Sequence, residues 1–414
     1  MSTSILLRGP LLTNSGYGVH ARQVARWLFD NQDEYDLDIS TEPLRWGGTG
    51  WITDITAEDG LIAQIVQNSE NKKPFYDFTI QIQLPNEWNP LLGAFNIGIT
   101  AGVETDKCNP AWIESINKMN LVITPSEFTK KTFLDSGNVL TDISVVPESF
   151  IDEIQNPESC SIDLSGLSTD FNFLVFGQLT GTSVETDRKN ILFTIKWLAE
   201  TFANRKDIGV VLKTNFVRNT KMDRKAVTRF VSALVASVQQ GNGPRIHLLH
   251  GDLSKSEIAG LYRNPKIKAL VSLTHGEGFG IPLLEAAASG LPVIATSWSG
   301  HMDFLSKGKF LGVSHTVEPV HQSKIDGNIF VPGAKWAYPS EKDAKFRFAK
   351  FAESPTIPQQ WAKELRSTLL ETHSFQAISQ KYDEVIGRKL KDFKEENNDE
   401  WDESWEDEDD NDQD

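Results

Sequence analysis

Apolar and polar positions switch between two periods along this chain. The opening run SILLRG reads as a buried strand, TNSGYGVH as a glycine loop, and ARQVARWLFD carries apolar residues at helical spacing. YDFTIQIQL alternates as a strand does, and AFNIGIT follows it. PAWIESINKM predicts a helix opened by proline, NLVITP a buried strand, and SEFTKKTFLDSG a helix with Ser126 as N-cap and Gly137 as its stop. ISVVP closes the first half. Strand and helix alternate throughout, which implies a parallel sheet covered on both faces.

Residues 152–170, DEIQNPESCSIDLSGLSTD, are polar and form the best linker candidate. The alternation then restarts. FNFLVFG, IGVVLKT, RIHLLHG, IKALVSL and LPVIAT read as strands; KNILFTIKWLAETF, KAVTRFVSALVASVQQ, SKSEIAGLY and IPLLEAAASG read as helices between them. The expected architecture is α/β, with two doubly wound Rossmann-like domains over residues 1–160 and 161–374. A helix over about 375–392 is expected to return and brace the first. Ligands of such sheets bind outside the carboxyl ends of the strands, so the cleft between the domains is the expected site.

LTHGEGFGIPLLEAAASGLPVIAT, from Leu273 to Thr296, concentrates the candidate chemistry. Gly276, Gly278 and Gly280 permit close approach and positive φ. Pro282 suits a first helical turn, whose free N–H groups favour an anion such as phosphate. Glu277 falls just before that helix and Glu285 on its first turn. Carboxylates beside an anion site need other partners, and sugar hydroxyls supply them. Phosphate and hydroxyl-rich rings together describe a nucleotide sugar. G-x-G-x-x-G is absent, which argues against a dinucleotide fingerprint here.

The net charge of −16 is concentrated. Glu395 to Asp414 hold thirteen Asp and Glu and no Lys or Arg, so the body is near neutral. This disfavours a broad nucleic-acid footprint. The tail should be disordered in isolation and act as a solubilising segment, the alternative being that it folds back on the basic donor cleft and competes with phosphate. Its carboxylates resemble metal ligands in composition alone. Cys108 and Cys160 stand in no metal-like spacing, and a reduced, cytoplasmic compartment is expected. No run approaches the length of a membrane span.

EGFGIPLLE, with its Glu-x7-Glu spacing, resembles the motif of retaining glycosyltransferase family 4, whose fold is GT-B. AAASGLPVIATSWSGHMDFL is similar to that family's continuation. GPLLTNSGYGVHARQVARWL resembles its N-terminal glycine loop and first helix; DRKNI and LHGDLSKSEIAGLYR resemble its donor-side segments. The likeness runs through most of the chain. It implies that Glu285 holds the ribose hydroxyls and Glu277 contacts the transferred sugar. The backbone of Gly278, Phe279 and Gly280 would line sugar and phosphate, and Lys189 would neutralise the diphosphate. A fixed cation at a leaving diphosphate is worth about 3 kcal/mol in the transition state. Donor specificity is expected from contacts around HGDLS, Leu253 among them.

Many members carry Gly-Arg where this chain has Gly177–Gln178. Arg188 or Lys213 is the expected replacement for that cation. Gly16 and Gly18 are candidates to let backbone approach the donor phosphates. His20 reads as structural. Glu104, in GVETD, is the candidate acceptor-side or reacting-centre residue. Trp46, Trp51 and Trp88 are candidates to stack on an acceptor, with buried packing as the commoner fate. The resemblance implies retaining, metal-independent transfer by front-face attack, with a nucleotide sugar as donor and no cofactor. The acceptor is a glycan or another hydroxyl compound. A modified nucleic-acid base is an alternative that the near-neutral body disfavours. An epimerase on the same fold, or a non-catalytic sugar- or nucleotide-binding protein, is the competing reading.

Overall fold

The structure is a computed structural model and describes residues 2–181, 183–216, 220–238 and 243–396. The expectation for the tail lies outside the described residues except at Glu395 and Glu396, which continue the last helix.

The first domain contains β1 (Thr3–Gly9), α1 (Gly16–Asp30), β2 (Leu37–Pro43), α2 (Leu61–Gln67), β3 (Tyr76–Ile82), β4 (Gly93–Ile99), α3 (Pro110–Ile116), β5 (Leu121–Thr124), α4 (Glu127–Ser136) and β6 (Ile143–Val145). Its sheet is parallel, in the order β2-β1-β3-β4-β5-β6. β2 and α2 escaped the sequence reading. LDISTEP is polar for a strand because β2 lies at the sheet edge, and α2 spans under two turns. Ser126 caps α4 by accepting from Thr129 N, and Gly137 follows its last residue with extended backbone.

The second domain contains β7 (Phe171–Phe176), α5 (Ile191–Thr201), β8 (Ile208–Thr214), α6 (Lys221–Val238), β9 (Arg245–His250), α7 (Lys255–Arg263), β10 (Ile267–Ser272), α8 (Ile281–Ala288), β11 (Val293–Thr296), α9 (Met302–Leu305) and β12 (Leu311–Val313). Its parallel sheet runs β12-β11-β10-β7-β8-β9. A separate antiparallel hairpin, β13 (His315–Pro319) and β14 (Lys335–Pro339), follows, and the sequence reading missed it. Its Trp336 is buried with Trp88 and Trp112 of the first domain, so this hairpin spans the two domains.

Helices α10 (Glu341–Glu353), α11 (Thr356–Thr372) and α12 (Phe375–Tyr382) close the described chain, and helical turns run on through residue 396. α10 and α11 pack on the second domain, whereas Ile378, Tyr382, Ile386 and Leu390 enter the core of the first. These four recur every fourth residue and form one buried stripe. Each stabilises the docking by about 1.5–3 kcal/mol. Trp27 Nε1 and Tyr35 Oη both donate to Asp383, at 2.9 and 3.0 Å, and fix the rotation of this returning segment. The linker candidate is not loose: Ile154 and Leu164 are buried in the second domain's core.

Candidate active site

Strand order reverses between β1 and β3 in one sheet and between β7 and β10 in the other. The loops leaving these carboxyl ends face each other across a cleft of about 930 Å³. The domains already touch there. Ser126 Oγ and Thr129 Oγ1 donate to Gly278 O at 2.5 and 3.3 Å, and Asp303 Oδ2 accepts from Glu127 N at 2.6 Å.

Glu277 is buried at the centre of this contact. Lys189 Nζ donates to both carboxylate oxygens, at 2.6 and 2.5 Å. Arg188 Nη1 lies 4.0 Å from the same carboxylate and 2.8 Å from Glu104 Oε1. Glu104 follows β4 in the first domain, so Arg188 links the two domains through charge. Burial alone would raise the Glu277 carboxyl, but Lys189 and Arg188 hold it below its ordinary value and ionised. Burial draws Lys189 below its ordinary range against the pull of Glu277. Its bonds to both oxygens favour the charged pair.

The backbone of Glu277 is fixed by a loop that sequence reasoning did not single out. Its N–H donates to Ser299 Oγ at 2.9 Å, and its carbonyl accepts from Gly300 N at 2.9 Å. Ser299 holds a left-handed φ of 82° to make this contact. The buried His301 accompanies it, with Nε2 2.7 Å from Thr296 O. Asp187 was also missed. It accepts from Leu192 N at 3.1 Å and so supplies the anionic group of the α5 start. Arg188 and Lys189 are thereby left to turn into the cleft.

Gly280 caps α8 with φ +103°, a conformation that other residues adopt at a cost. A Cβ on Gly278 would fall 2.4 Å from Ala101 O, so glycine permits the approach of the two domains. The N–H groups of Gly278, Phe279 and Gly280 take part in no hydrogen bond among the described residues. They stand at a helix start, which is the arrangement for an anion. The Phe279 ring itself is buried against Phe304. Glu285 lies on the second turn of α8, one turn later than expected, because the helix begins at Ile281. It is buried, accepts from Tyr262 Oη at 3.3 Å, and is pushed by burial up to about 8.

Lys213 and Leu253 both line the cleft. Lys213 Nζ donates to Gly251 O and sits 5.4 Å from the centroid of the Phe176 ring. Gln178 also lines the cleft and is bonded to Phe216 O.

On the opposite wall, Trp46 stacks on Tyr17 at 4.3 Å between centroids, and both line the cleft. Gly16 lines it as well. Gly18 does not, and its N–H is spent on Ser15 Oγ at 3.0 Å, the N-cap bond of α1. The expected approach of Gly18 to a ligand is therefore corrected: these glycines open a helix rather than a loop, and Gly18 is packed on Thr13. Trp51 stands outside the cleft in a bridge with Thr13, and Trp88 is buried in the first domain's core. His20 is buried, with Nε2 3.0 Å from Tyr382 Oη, and burial lowers it to about 4. Among the described residues no three His, Cys, Asp or Glu side chains gather as a metal-holding group, and no helix is long and apolar enough to cross a membrane.

Residues 234–323 match the family model for "Glycosyl transferases group 1". That segment contains both Glu277 and Glu285, so the resemblance read from EGFGIPLLE is borne out. Among curated proteins none matches this chain in sequence. Three solved structures similar to it are Anabaena HepE crystallised with UDP and glucose, a sucrose-phosphate synthase from Thermosynechococcus elongatus, and an α,α-trehalose 6-phosphate synthase from Burkholderia multivorans. HepE shares 13% identity at a TM-score of 0.57, covering 93% of this chain and 100% of its own. The sucrose-phosphate synthase shares 13% at 0.60 over 93% and 98%. The trehalose-phosphate synthase shares 9% at 0.62 over 96% and 98%. At these identities the likeness is one of fold, and the fold is GT-B.

Proposed function

We propose that this protein is a retaining glycosyltransferase that moves a sugar from a nucleotide-sugar donor to a hydroxyl acceptor without a metal ion. The observation that carries the reading is the group formed by Glu277, Lys189, Arg188 and Glu104 beside the open amides of Gly278, Phe279 and Gly280. A diphosphate fits this group: the amides and the start of α8 receive its oxygens, and Lys189 and Arg188 offset its charge. Lys213 supplies the further cation that Gln178 does not. Glu285 holds the ribose, and contacts near Leu253 receive the base. HepE was crystallised with UDP, which makes a uridine nucleotide a sensible first probe.

In a front-face transfer, the acceptor oxygen bonds to the anomeric carbon on the side from which the diphosphate leaves. The bond from carbon to phosphate oxygen breaks and its electron pair stays on the diphosphate. A phosphate oxygen takes the acceptor proton, so the anomeric configuration is kept. Glu277 accepts from hydroxyls of the transferred sugar once Lys189 turns towards phosphate. Glu104 faces the acceptor, and the Tyr17–Trp46 pair offers it an aromatic surface. A glycan fits that surface.

A thermal-shift panel of nucleotides and nucleotide sugars, followed by transfer assays with the donor it finds, tests the reading. A ligand at one hundred times its dissociation constant adds about 2.7 kcal/mol of stability. Binding without transfer or hydrolysis would support a non-catalytic protein instead, and inversion at a ring carbon of the donor sugar an epimerase. Activity should survive excess EDTA. Complete loss restored by magnesium would overturn the metal-free reading.

A further inference from the structure

Glu148 follows β6 where the first domain meets the second, and it lines the same cleft as Glu285. It is 4% exposed, and its Oε2 is buried with no hydrogen-bond partner. The nearest basic atom, His20 Nδ1, lies 3.9 Å from Oε1, beyond hydrogen-bond length. Unpaired buried carboxyls are costly, so this one calls for a partner that the protein alone does not supply.

Its position is not a matter of chance packing. Gln23 of α1 grips the next residue twice: Nε2 donates to Ser149 O at 2.8 Å and Oε1 accepts from Ser149 N at 3.0 Å. Phe150 N donates to His373 O at 3.3 Å, on the second domain's side. The backbone around Glu148 is thus held from both domains. His20 of α1 stands nearest its carboxyl, and Tyr17 of α1, Tyr382 of α12 and Glu285 of α8 are close enough to share its electrostatic field. Tyr382 and His20 bond each other. Tyr17 bonds Thr100 Oγ1 and Ala101 N. None of them serves Glu148.

We propose that Glu148 is a second ribose-binding residue, and that the vicinal hydroxyls of the donor nucleoside bridge Glu285 of the second domain and Glu148 of the first. The inference rests on the nucleotide-sugar reading above. It is chemically apt because each hydroxyl both donates and accepts. Burial, then the charge of Glu285, pushes the Glu148 carboxyl up to about 8, and burial does the same to Glu285. Near neutral pH the pair offers a protonated carboxyl that donates, and its ionised form accepts. A diol between them satisfies both, and it couples nucleotide binding to contact between the domains.

Titration calorimetry on the full chain tests this with UDP, GDP and ADP. The nucleotide that binds is then compared with its 2′-deoxy and 3′-deoxy forms. In the wild type at least one deoxy form should bind about tenfold more weakly than the ribonucleotide, the scale of a lost charge-assisted hydrogen bond. Glu148→Ala should weaken the ribonucleotide by about tenfold and that deoxy form by less than about twofold. Glu148→Gln, close to isosteric, repeats the comparison should the alanine variant fail to fold. Equal weakening of ribose and deoxy forms would mean a purely structural role and would sink the assignment. So would a wild type that does not discriminate between them. If binding depends on Glu285 but not on Glu148, this inference alone fails. If no nucleotide binds the wild type, the nucleotide-sugar reading fails with it.

Discussion

Two glycine-bearing turns meet in the cleft, one after β1 and one after β10, and each leads into a helix. After β1, Ser15 caps α1 and consumes the Gly18 N–H, while a Cβ on Gly18 would fall 2.1 Å from Thr13 O. The turn is closed on itself. After β10, no side chain caps α8, Gly280 takes the left-handed conformation, and three successive N–H groups keep no protein partner among the described residues. Similar glycine content thus serves packing in one domain and leaves open N–H groups at a helix start in the other. The difference lies in where the hydrogen-bonding capacity is spent. A second contrast lies within the latter turn and its helix. Glu277 is held ionised by Lys189 and Arg188, whereas Glu285 is raised by burial to about 8.

The largest effect should come from the cation that separates the two turns. Lys189→Ala should lower the transfer rate by about 10²–10³, the usual cost of one preorganised donor to a leaving group. It also leaves Glu277 buried without its close partner, so a thermal melt must accompany the rate measurement. A rate within a few fold of wild type would end the distinction between the turns.

Next, Glu285→Ala should weaken a bound nucleoside diphosphate by roughly 1.5–3 kcal/mol, read by calorimetry on a folded variant. Unchanged affinity would remove Glu285 from the site and leave Glu277 alone in it.

Stability against pH sharpens the contrast between the glutamates. Glu285 and Glu148 ordinarily titrate near 4.5 and are held at about 8 when folded. Their contribution to stability is complete below about pH 4.5 and is lost as pH rises through 8. His20 and His275, lowered from 6.5 to about 4, work in the opposite sense and lose stability as pH falls. The melting temperature should therefore decline from near neutral to mildly alkaline pH. Glu148→Gln should flatten that decline by roughly half, since one of two titrating carboxyls is removed. An identical slope in the variant would show that Glu148 titrates normally.

The smallest effect is expected at Gly16. A Cβ there meets nothing within 4 Å, so Gly16→Ala should be neutral or stabilise by at most about 1 kcal/mol in chemical denaturation. Donor affinity should not change. A large loss of affinity would mean that the β1 turn contacts the donor after all.

Much of the fold was legible because burial leaves a periodic trace. β1, β5 and the interior strands of the second sheet are mostly apolar runs, as parallel strands buried on both faces tend to be, and β3 showed itself by alternation instead. β2 and the β13–β14 hairpin left no such trace, since an edge strand and a small separate hairpin keep many polar residues. In the candidate site, Glu277 and Glu285 were legible through the spacing of one motif, and Lys189 through the resemblance carried by DRKNI. The clasp of Ser299 and His301, the cap from Asp187, and Glu148 were not. Each is an ordinary polar residue whose meaning depends on what lies beside it in space.

The sequence by itself thus determined two alternating α/β units, the glycine turn that opens α8, and the carboxylates and cations available to a donor. Those are local properties, set by periodicity, backbone freedom and residue type. Tertiary structure alone decided which groups are paired and which are left wanting a partner. Arg188 reaches Glu104 across 84 positions of sequence, Gly278 O receives Ser126 from the other domain, and Glu148 lines the same cleft as Glu285 with a buried oxygen unsatisfied. Pairing and burial are properties of three-dimensional neighbours: the cations beside Glu277 hold it charged against its burial, whereas burial pushes Glu285 towards neutrality.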